Sequence, residues 1–589
     1  MAIYRLQKAT EQSDILLPEI SEEEQKRLQS QLELELAECV RANSTGRNHL
    51  KRFMIQNGIW HIAELDYEAR VAFDAWLGES YKSGPRTTYV KAFDRVKQYA
   101  VQKSLGVAEA GKRIRPRYRN ERFFLPYYPD GEIAEYFNYS TKKEDLVWDF
   151  SIDAPETMKR QMLDVLCAAL EEATTVKNLQ WRLYTLRSFY GYCCRRKIQN
   201  IELMELYEVE QYYEEQKKKD EYLSVRGVID YCQRQLFLQA DTIHWEAHVW
   251  YVDRFHLHPE RIDPANPVKS ISFTEVVNPK NRELLKEYAR YTIGITGLSI
   301  GNIRSELTIV RRFLTDLKQP EQKNILGISS AEMDAYFRAE QKRDVNPETF
   351  NKCVLSVLHF FQYLLVKHYV EKIPFDHEHY LKKTIPYHYN RSVNTDITDE
   401  IMGKLYLFPE ELRLMYFHLW GTGLRISEVC TLHGDAYYIQ ANDTWVQVYQ
   451  TKMRGYKRIP IPLALYDLMM VYLQRHNIGA NDYVFQNSRG GAYRSGTFRW
   501  RMKRLCEEHQ IKNGEYLFQS HDYRHTLATF FYNNGVSLQG VRDYLGHMYE
   551  EMTLQYVDYM QEKIQKKNEE YFSNNNLAAE LVKGIKKDG

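Results

Sequence analysis

Apolar residues recur at spacings of three and four along most of this chain. In "ELTIVRRFLTDL", residues 306–317, Leu307, Val310, Phe313, Leu314 and Leu317 fall on one face of a 3.6-residue helix. Strand-like alternation is confined to a few places. The clearest is "DTWVQVYQTKMRGYKRIPIP" at 443–462, two β-rich runs around a turn at Arg454-Gly455, which predicts a hairpin. The fold class that follows is mainly α, multi-domain, with a small β-sheet in the C-terminal domain.

Helix breakers and charge divide this pattern into four. "GVAEAGKRIRPRYRNERFFLPYYPDGE" (106–132) combines a basic run, Arg-Pro and Pro-Asp-Gly. "RFHLHPERIDPANPVKS" (254–270) holds three prolines, and "KIPFDHEHYLKKTIPYHYNRSVNTDITDE" (372–400) is a third break. The expected domains are 1–120 and 121–265, both helical, a third helical domain at 266–385, and a different C-terminal domain at 386–589. At an offset of 124, "TTVKNLQWRLYTLRSFY" (174–190) lies against "LSIGNIRSELTIVRRFL" (298–314). Asn178 then matches Asn302, Leu183 Leu307, Arg187 Arg311 and Phe189 Phe313. The first region joins through "GPRTTYVKAFDRVKQYA" (84–100), which is like "NPETFNKCVLSVLHFFQY" (346–363). There, a repeat and the pattern shared by any two amphipathic helices weigh equally.

At 589 residues the chain exceeds one hydrophobic core, and 44% hydrophobic with 27% charged residues is a globular composition. The net charge of +1 announces no nucleic-acid partner by itself, although it leaves room for local basic surfaces. Eight cysteines without C-x-x-C spacing argue against a zinc ribbon or a secreted disulfide framework. His244 and His248 are four apart, but Glu246 misses the H-E-x-x-H arrangement, so they read as packing and surface residues. With no signal-like N-terminus and no membrane-length apolar run, the expected location is cytoplasmic, without a membrane partner.

The chemistry gathers in the last third. In "LWGTGLRISEV" (419–429), Gly421 and Gly423 can end an apolar helix, and Arg425 follows with Ser427 and Glu428. An arginine beside a tight turn can be held rigidly for bidentate contact with phosphate oxygens. Lys452 follows in the hairpin, then His521-x-x-Arg524, then Leu545-Gly546-His547, with Tyr556 nine residues beyond that histidine. Two arginines, a lysine, two histidines and a tyrosine suit one reaction. A tyrosine hydroxyl attacks a phosphodiester while cations hold the pentavalent, negatively charged transition state.

R-I-S-E after G-T-G-L, H-D-Y-R-H-T, and L-G-H followed nine residues later by tyrosine resemble the tyrosine recombinase (phage-integrase) family over about residues 400 to 575. Region 280 to 375 is similar to the family's helical core-binding (SAM-like) domain, and 1–265 matches no motif. The resemblance implies that Arg425 and Arg524 grip the non-bridging oxygens of the scissile phosphate. It makes Tyr556 the nucleophile, leaving a 3′-phosphotyrosyl link, and Lys452 the proton donor to the leaving 5′ oxygen. His521 would assist proton transfer, and His547 would add a donor and position the site. It implies no cofactor and no metal, double-stranded DNA recombination sites as partner, a homo-tetramer on DNA, and an accessory recombinase or host protein as a further candidate partner.

Departures leave choices open. Lys457 rivals Lys452, because the family's glycine after the lysine is absent, although the following "RIPIP" favours Lys452. Tyr523 replaces a common leucine, and Tyr549 and Tyr559 miss the nine-residue step. Basic residues in "RWRMKRL" (499–505), "SRGGAYR" (488–494) and "GKRIRPRYRNER" (111–122) are candidates for DNA backbone contact. The stretch "LAAELVKGI" (577–585) suits docking on a neighbouring subunit. A type IB topoisomerase uses a similar set as a monomer, and an accessory DNA-binding protein with a decayed site is the other alternative. The L-G-H to tyrosine spacing opposes the first and the complete residue set the second.

Overall fold

The computed structural model describes residues 21–104, 115–137, 146–172, 175–218, 227–317, 323–384, 391–451, 453–547 and 553. Lys452, Tyr549, Tyr556, Tyr559 and the stretch 577–585 lie outside the described residues. The chain divides into two compact units, residues 1–250 and 251–589.

In the first unit, two four-helix groups follow one another. The first comprises α1 (Glu22–Glu38), α2 (Ser44–Gln56), α3 (Tyr67–Gly78) and α4 (Ser83–Ser104). A two-stranded antiparallel ribbon, β1 (Arg122–Phe124) with β2 (Val147–Asp149), lies between the groups. The second group comprises α5 (Glu156–Glu171), α6 (Val176–Arg196), α7 (Leu206–Lys218) and α8 (Val228–Gln239). The two groups expected as separate domains share one continuous buried cluster that runs from Leu32 to Leu236. Phe124, Leu125, Tyr127 and Tyr128, from the expected linker at 106–132, are part of it.

The second unit opens with another four-helix group, α9 (Pro279–Ile295), α10 (Ile300–Asp316), α11 (Ser330–Gln341) and α12 (Pro347–Val366). Helix α12 is long and apolar enough to cross a membrane by length and composition, but 56% of that window is buried as the core of its own group. From its second helix to its third the group repeats the preceding one at a step of 124. Val176 and Ile300 start the second helices, Ile201 and Ile325 the 3-10 turns, Leu206 and Ser330 the third helices. Buried positions coincide as well: Leu179 with Ile303, Leu183 with Leu307, Leu186 with Val310, Phe189 with Phe313. So do the caps, since Thr175 and Ser299 accept from the backbone N–H of Asn178 and Asn302. The first group enters the register at its 3-10 turn, Ile62–Glu64, and places buried Phe73 where the others have Tyr212 and Tyr336.

The C-terminal domain has its own core, around Leu412, Met415, Leu419, Val429, Val446, Ile459 and Phe498. It is built from α13 (Thr395–Lys404), α14 (Glu410–Thr422), α15 (Ile426–Cys430), α16 (Leu463–Arg475), α17 (Ser495–Glu508), α18 (Asp522–Asn533) and α19 (Leu538–Leu545). The sheet orders β3 (Tyr437–Gln440), β4 (Asp443–Gln450) and β5 (Gly455–Pro460), all antiparallel. The β4–β5 hairpin was legible from alternation, whereas β3 was not. Helices α14 and α18 meet through Tyr416 and Tyr523, edge to face at 5.2 Å, so Tyr523 fills core space. Ser495 N–H donates to Ala265 O at 3.1 Å, and Arg454 in the hairpin turn donates to Gly297 O, just ahead of α10. Ala265 packs in the C-terminal core, and the Arg454 contact joins that domain to the third helical group within the second unit.

Candidate active site

The site begins at a turn. Helix α14 ends at Thr422, and Gly423 caps it in the left-handed region at φ 61°, while Gly421 stays inside the helix. A Cβ on Gly423 would stand 2.9 Å from Leu527 Cδ2, so the turn lies tight against α18. Arg425 then occupies the N-cap of α15. Its backbone N–H donates to Glu428 Oε2 at 2.9 Å and its Nη1 to Glu428 Oε1 at 2.8 Å, which fixes the guanidinium on its own helix.

Glu428 is the hub of the cluster. Gln450 Nε2, from the end of β4, donates to its Oε1 at 3.0 Å, and Lys457 Nζ, from β5, lies 3.3 Å from Oε2. Burial pushes this carboxyl up, but Lys457, Arg524 and Arg425 outweigh burial and hold it down at about 2. One buried carboxylate is thus shared among three cations. Lys457, 9% exposed, is pushed down to about 8, chiefly by burial, with Arg524 and Arg425 adding to it and Glu428 opposing. Both partners move down, Lys457 chiefly through burial and Glu428 through the cations around it. The pocket carries an excess of positive charge, which an oxyanion would relieve.

Arg524, from α18, is 1% exposed. Its Nη1 donates to Gly423 O at 2.9 Å and its Nη2 to Leu545 O at 2.6 Å. The turn that carries Arg425 therefore also holds Arg524, across about a hundred residues of chain. Nη2 also lies 2.9 Å from His547 Nε2. A guanidinium only donates, so Nε2 accepts, and His547 carries its proton on Nδ1, which faces Thr553 Oγ1 at 3.0 Å. Burial and the surrounding cations Arg524, Arg425 and Lys457 push His547 down to about 3.

His547 is presented by another glycine. Helix α19 ends at Leu545, and Gly546 turns the chain at φ 68°. A Cβ there would come 2.5 Å from Gln450 Oε1. His521 stands at the N-cap position of α18, its ring 5.4 Å from that of His525. Burial first, then His525, Arg524, Arg425 and Arg391, push it down to about 4.

Of the six expected site residues, Arg425, Arg524, His521 and His547 thus converge from three distant segments, while Lys452 and Tyr556 lie outside the described residues. The lysine within the described cluster is Lys457. Sequence reasoning passed over Glu428, Gln450 and the burial of Lys457. Signals existed: Glu428 stands three residues after an N-cap, and Lys457 alternates with buried Ile459 along β5.

Several residues of the flanking basic runs are engaged by acids. Arg501 bonds Glu411, Arg504 bonds Glu508, and Arg115 pairs with Glu171. His244 pairs with Glu202 at 2.8 Å and buried His248 faces Met204 O at 3.1 Å, as the packing reading expected. Among the described residues no cluster of His, Cys, Asp and Glu could hold a metal ion.

Residues 394–563 match the phage integrase family. Transposase B from transposon Tn554 of Staphylococcus aureus is 27% identical over 339 residues, 56% of this chain and 53% of that protein. The chain spans about half the length of this relative. The probable integrase/recombinase protein MJ0367 of Methanocaldococcus jannaschii is 28% identical over 277 residues, 44% of this chain and 81% of that one. Among solved structures, the XerH site-specific recombinase bound to palindromic difH substrate covers 50% of this chain and 91% of its own, at 13% identity and a TM-score of 0.39. The family match spans the segments that supply Arg425, Glu428, Lys457, His521, Arg524 and His547, so the chain carries a domain of the phage integrase family at residues 394–563.

Proposed function

We propose that this protein is a site-specific DNA recombinase, the integrase or transposase of a mobile element. It cleaves and rejoins double-stranded DNA through a 3′-phosphotyrosyl intermediate, with strand exchange. The observation that carries the reading is the buried cationic cluster, in which Arg425 and Arg524 are both locked by neighbours and share a single carboxylate. Rigid donors in a water-poor site are what a pentavalent phosphorane needs, because they require no reorganisation as its charge develops.

In this account the Tyr556 oxygen attacks the scissile phosphorus, and the bond to the 5′ oxygen breaks. His521, held neutral at pH 7, takes the tyrosine proton. Lys452 protonates the departing 5′ oxygen. His547 steadies Arg524 through Nε2 and so positions the site. A phosphodiester is exchanged for a phosphotyrosyl ester of similar energy, so the reaction balances without a cofactor. A second 5′-hydroxyl reverses the step on a new partner strand. Exchange between two duplexes calls for four subunits, and the enzyme works in the cytoplasm on chromosomal or element DNA, with an accessory recombinase or host protein as a further partner.

The test uses duplexes from the ends of the native element, nicked so that the cut cannot be resealed. Wild type is expected to form a covalent protein–DNA adduct and Tyr556→Phe none. An equal adduct with both proteins, or an adduct with neither at any element end, overturns the reading.

A further inference from the structure

The first unit raises a question that the recombinase chemistry leaves open, namely why 250 residues of helical repeat precede the machinery. The second helix of each group gives the lead. In the second group, α6 carries Lys177, Arg182, Arg187, Arg195 and Arg196 and no acidic residue; in the first, α2 carries Arg47, Lys51 and Arg52 and none. The matching helix of the third group, α10, mixes Arg304, Arg311 and Arg312 with Glu306 and Asp316. At the position of Glu306, one step of 124 earlier, stands Arg182. Glu306 pairs with His359, whereas the Arg182 guanidinium lies 3.9 Å over the ring of Tyr231.

Some of these cations are engaged within the unit. Arg195 and Arg196 pair with Glu215, Lys51 with Glu33, and Arg47 bonds the carbonyls that end α1. Arg182 and Arg187 are half-buried over the rings of Tyr231 and Trp148, and exposed stripes remain beside them. On α6, Lys177, Trp181 and Tyr184 follow at i, i+4 and i+7. Trp181 and Tyr184 are 51% and 48% exposed and stack on each other at 6.0 Å. In the first group, Asn48 and Arg52 line α2, and Thr87, Lys91 and Arg95 line α4. Helices α2 and α4 lie close together, for a Cβ already modest in size on Gly46 would stand 2.5 Å from Ala92 Cβ.

Helices α2 and α6 carry exposed cations and no acidic residue, Lys91 on α4 adds to them, and two large aromatic rings lie in water beside Lys177, a surface suited to an anionic partner. We propose that the stripes on α2 and α4 and on α6 are duplex-DNA backbone contacts, so that the first unit lengthens the stretch of DNA held by the protein. Lys177, Arg182, Arg52 and Lys91 meet phosphates, and the Trp181 and Tyr184 rings lie against the sugar edge. The choice of DNA as ligand rests on the recombinase reading; the surface itself rests on charge and exposure.

The experiment is footprinting of the full chain on DNA from the native element end, with binding measured on duplexes of increasing flank length and in rising salt. The variant R52Q/K91Q/K177Q/W181A is run beside wild type. Wild-type affinity should rise with flank length. The variant should lose about one helical turn (~10 bp) or more of protection, and its log–log salt slope should fall by about 3, one for each cation removed. Wild type gaining nothing from flanks, or an unchanged variant footprint, overturns the proposal. So does loss of a protein partner with the footprint intact. If the variant melts early, the wild-type flank series decides alone. A long wild-type footprint without covalent adduct would sink the recombinase reading and leave this one standing.

Discussion

Replacing Glu428 by Gln removes one negative charge from a place where three cations depend on it. The amide keeps the shape, and its oxygen can still accept from Gln450 and Arg425 Nη1, while its NH2 meets the Arg425 N–H and Lys457 as a second donor, so the change removes charge and one acceptor together. A carboxyl held at about 2 instead of its ordinary 4.5 contributes about 3 kcal/mol at neutral pH, in the range of about 3–5 kcal/mol for breaking a buried ion pair. For a domain of this size that predicts a loss of about 6–12 °C in Tm. The sign follows from the depressed value. The stabilisation is complete above pH 4.5 and fades as pH falls toward 2, so the gap between wild type and variant should close below pH 4.5. Calorimetry of the full chain between pH 3 and 7.5 measures this in the C-terminal domain's transition. Sulfate or phosphate should return part of the loss, because an anion can take the carboxylate's place among Arg425, Lys457 and Arg524. A variant that melts within about 2 °C of wild type at pH 7 would refute the shared-carboxylate account.

Other expectations concern chemistry. Arg524→Lys should slow adduct formation by about 10²-fold or more, because a single ammonium cannot hold Gly423 O, Leu545 O and a phosphate together; single-turnover kinetics on nicked duplexes would show it. His521 and His547 are held at about 4 and about 3. Since the unfolded chain binds their protons first, stability should be full above about pH 6.5 and fall as pH drops toward 4, which equilibrium unfolding at several pH values can follow. A substrate with a 5′-bridging sulfur needs no proton on its leaving group. It should restore cleavage to Lys452→Ala but not to Lys457→Met, and the opposite pattern would make Lys457 the acid.

Much of the site was legible because its residues come in short motifs. The G-T-G-L-R turn, the H-x-x-R step and the L-G-H helix end are each set by local backbone needs, and Gly423 and Gly546 adopt the left-handed conformations that those motifs imply. The partners of these residues were not legible. Gln450, Lys457 and Leu545 O reach Glu428 and one another only after β4, β5 and α19 are packed, and the local signals at Glu428 and Lys457 do not say which distant groups they meet. The offset of 124, read from one helix pair, extends to turns, caps and buried polar positions such as Gln216 and Glu340. The shared core of the first two helical groups escaped notice because breakers report where helices stop, not whether the next ones pack on the same core.

The most direct measurement maps the covalent bond itself. Wild-type protein trapped on a nicked element-end duplex is digested, and the peptide that carries nucleotide is sequenced by mass spectrometry. The account predicts a 3′-phosphate ester on the Tyr556 peptide and a free 5′-hydroxyl on the other DNA end. An ester on Tyr549 or Tyr559, or a link through a 5′-phosphate, would contradict it.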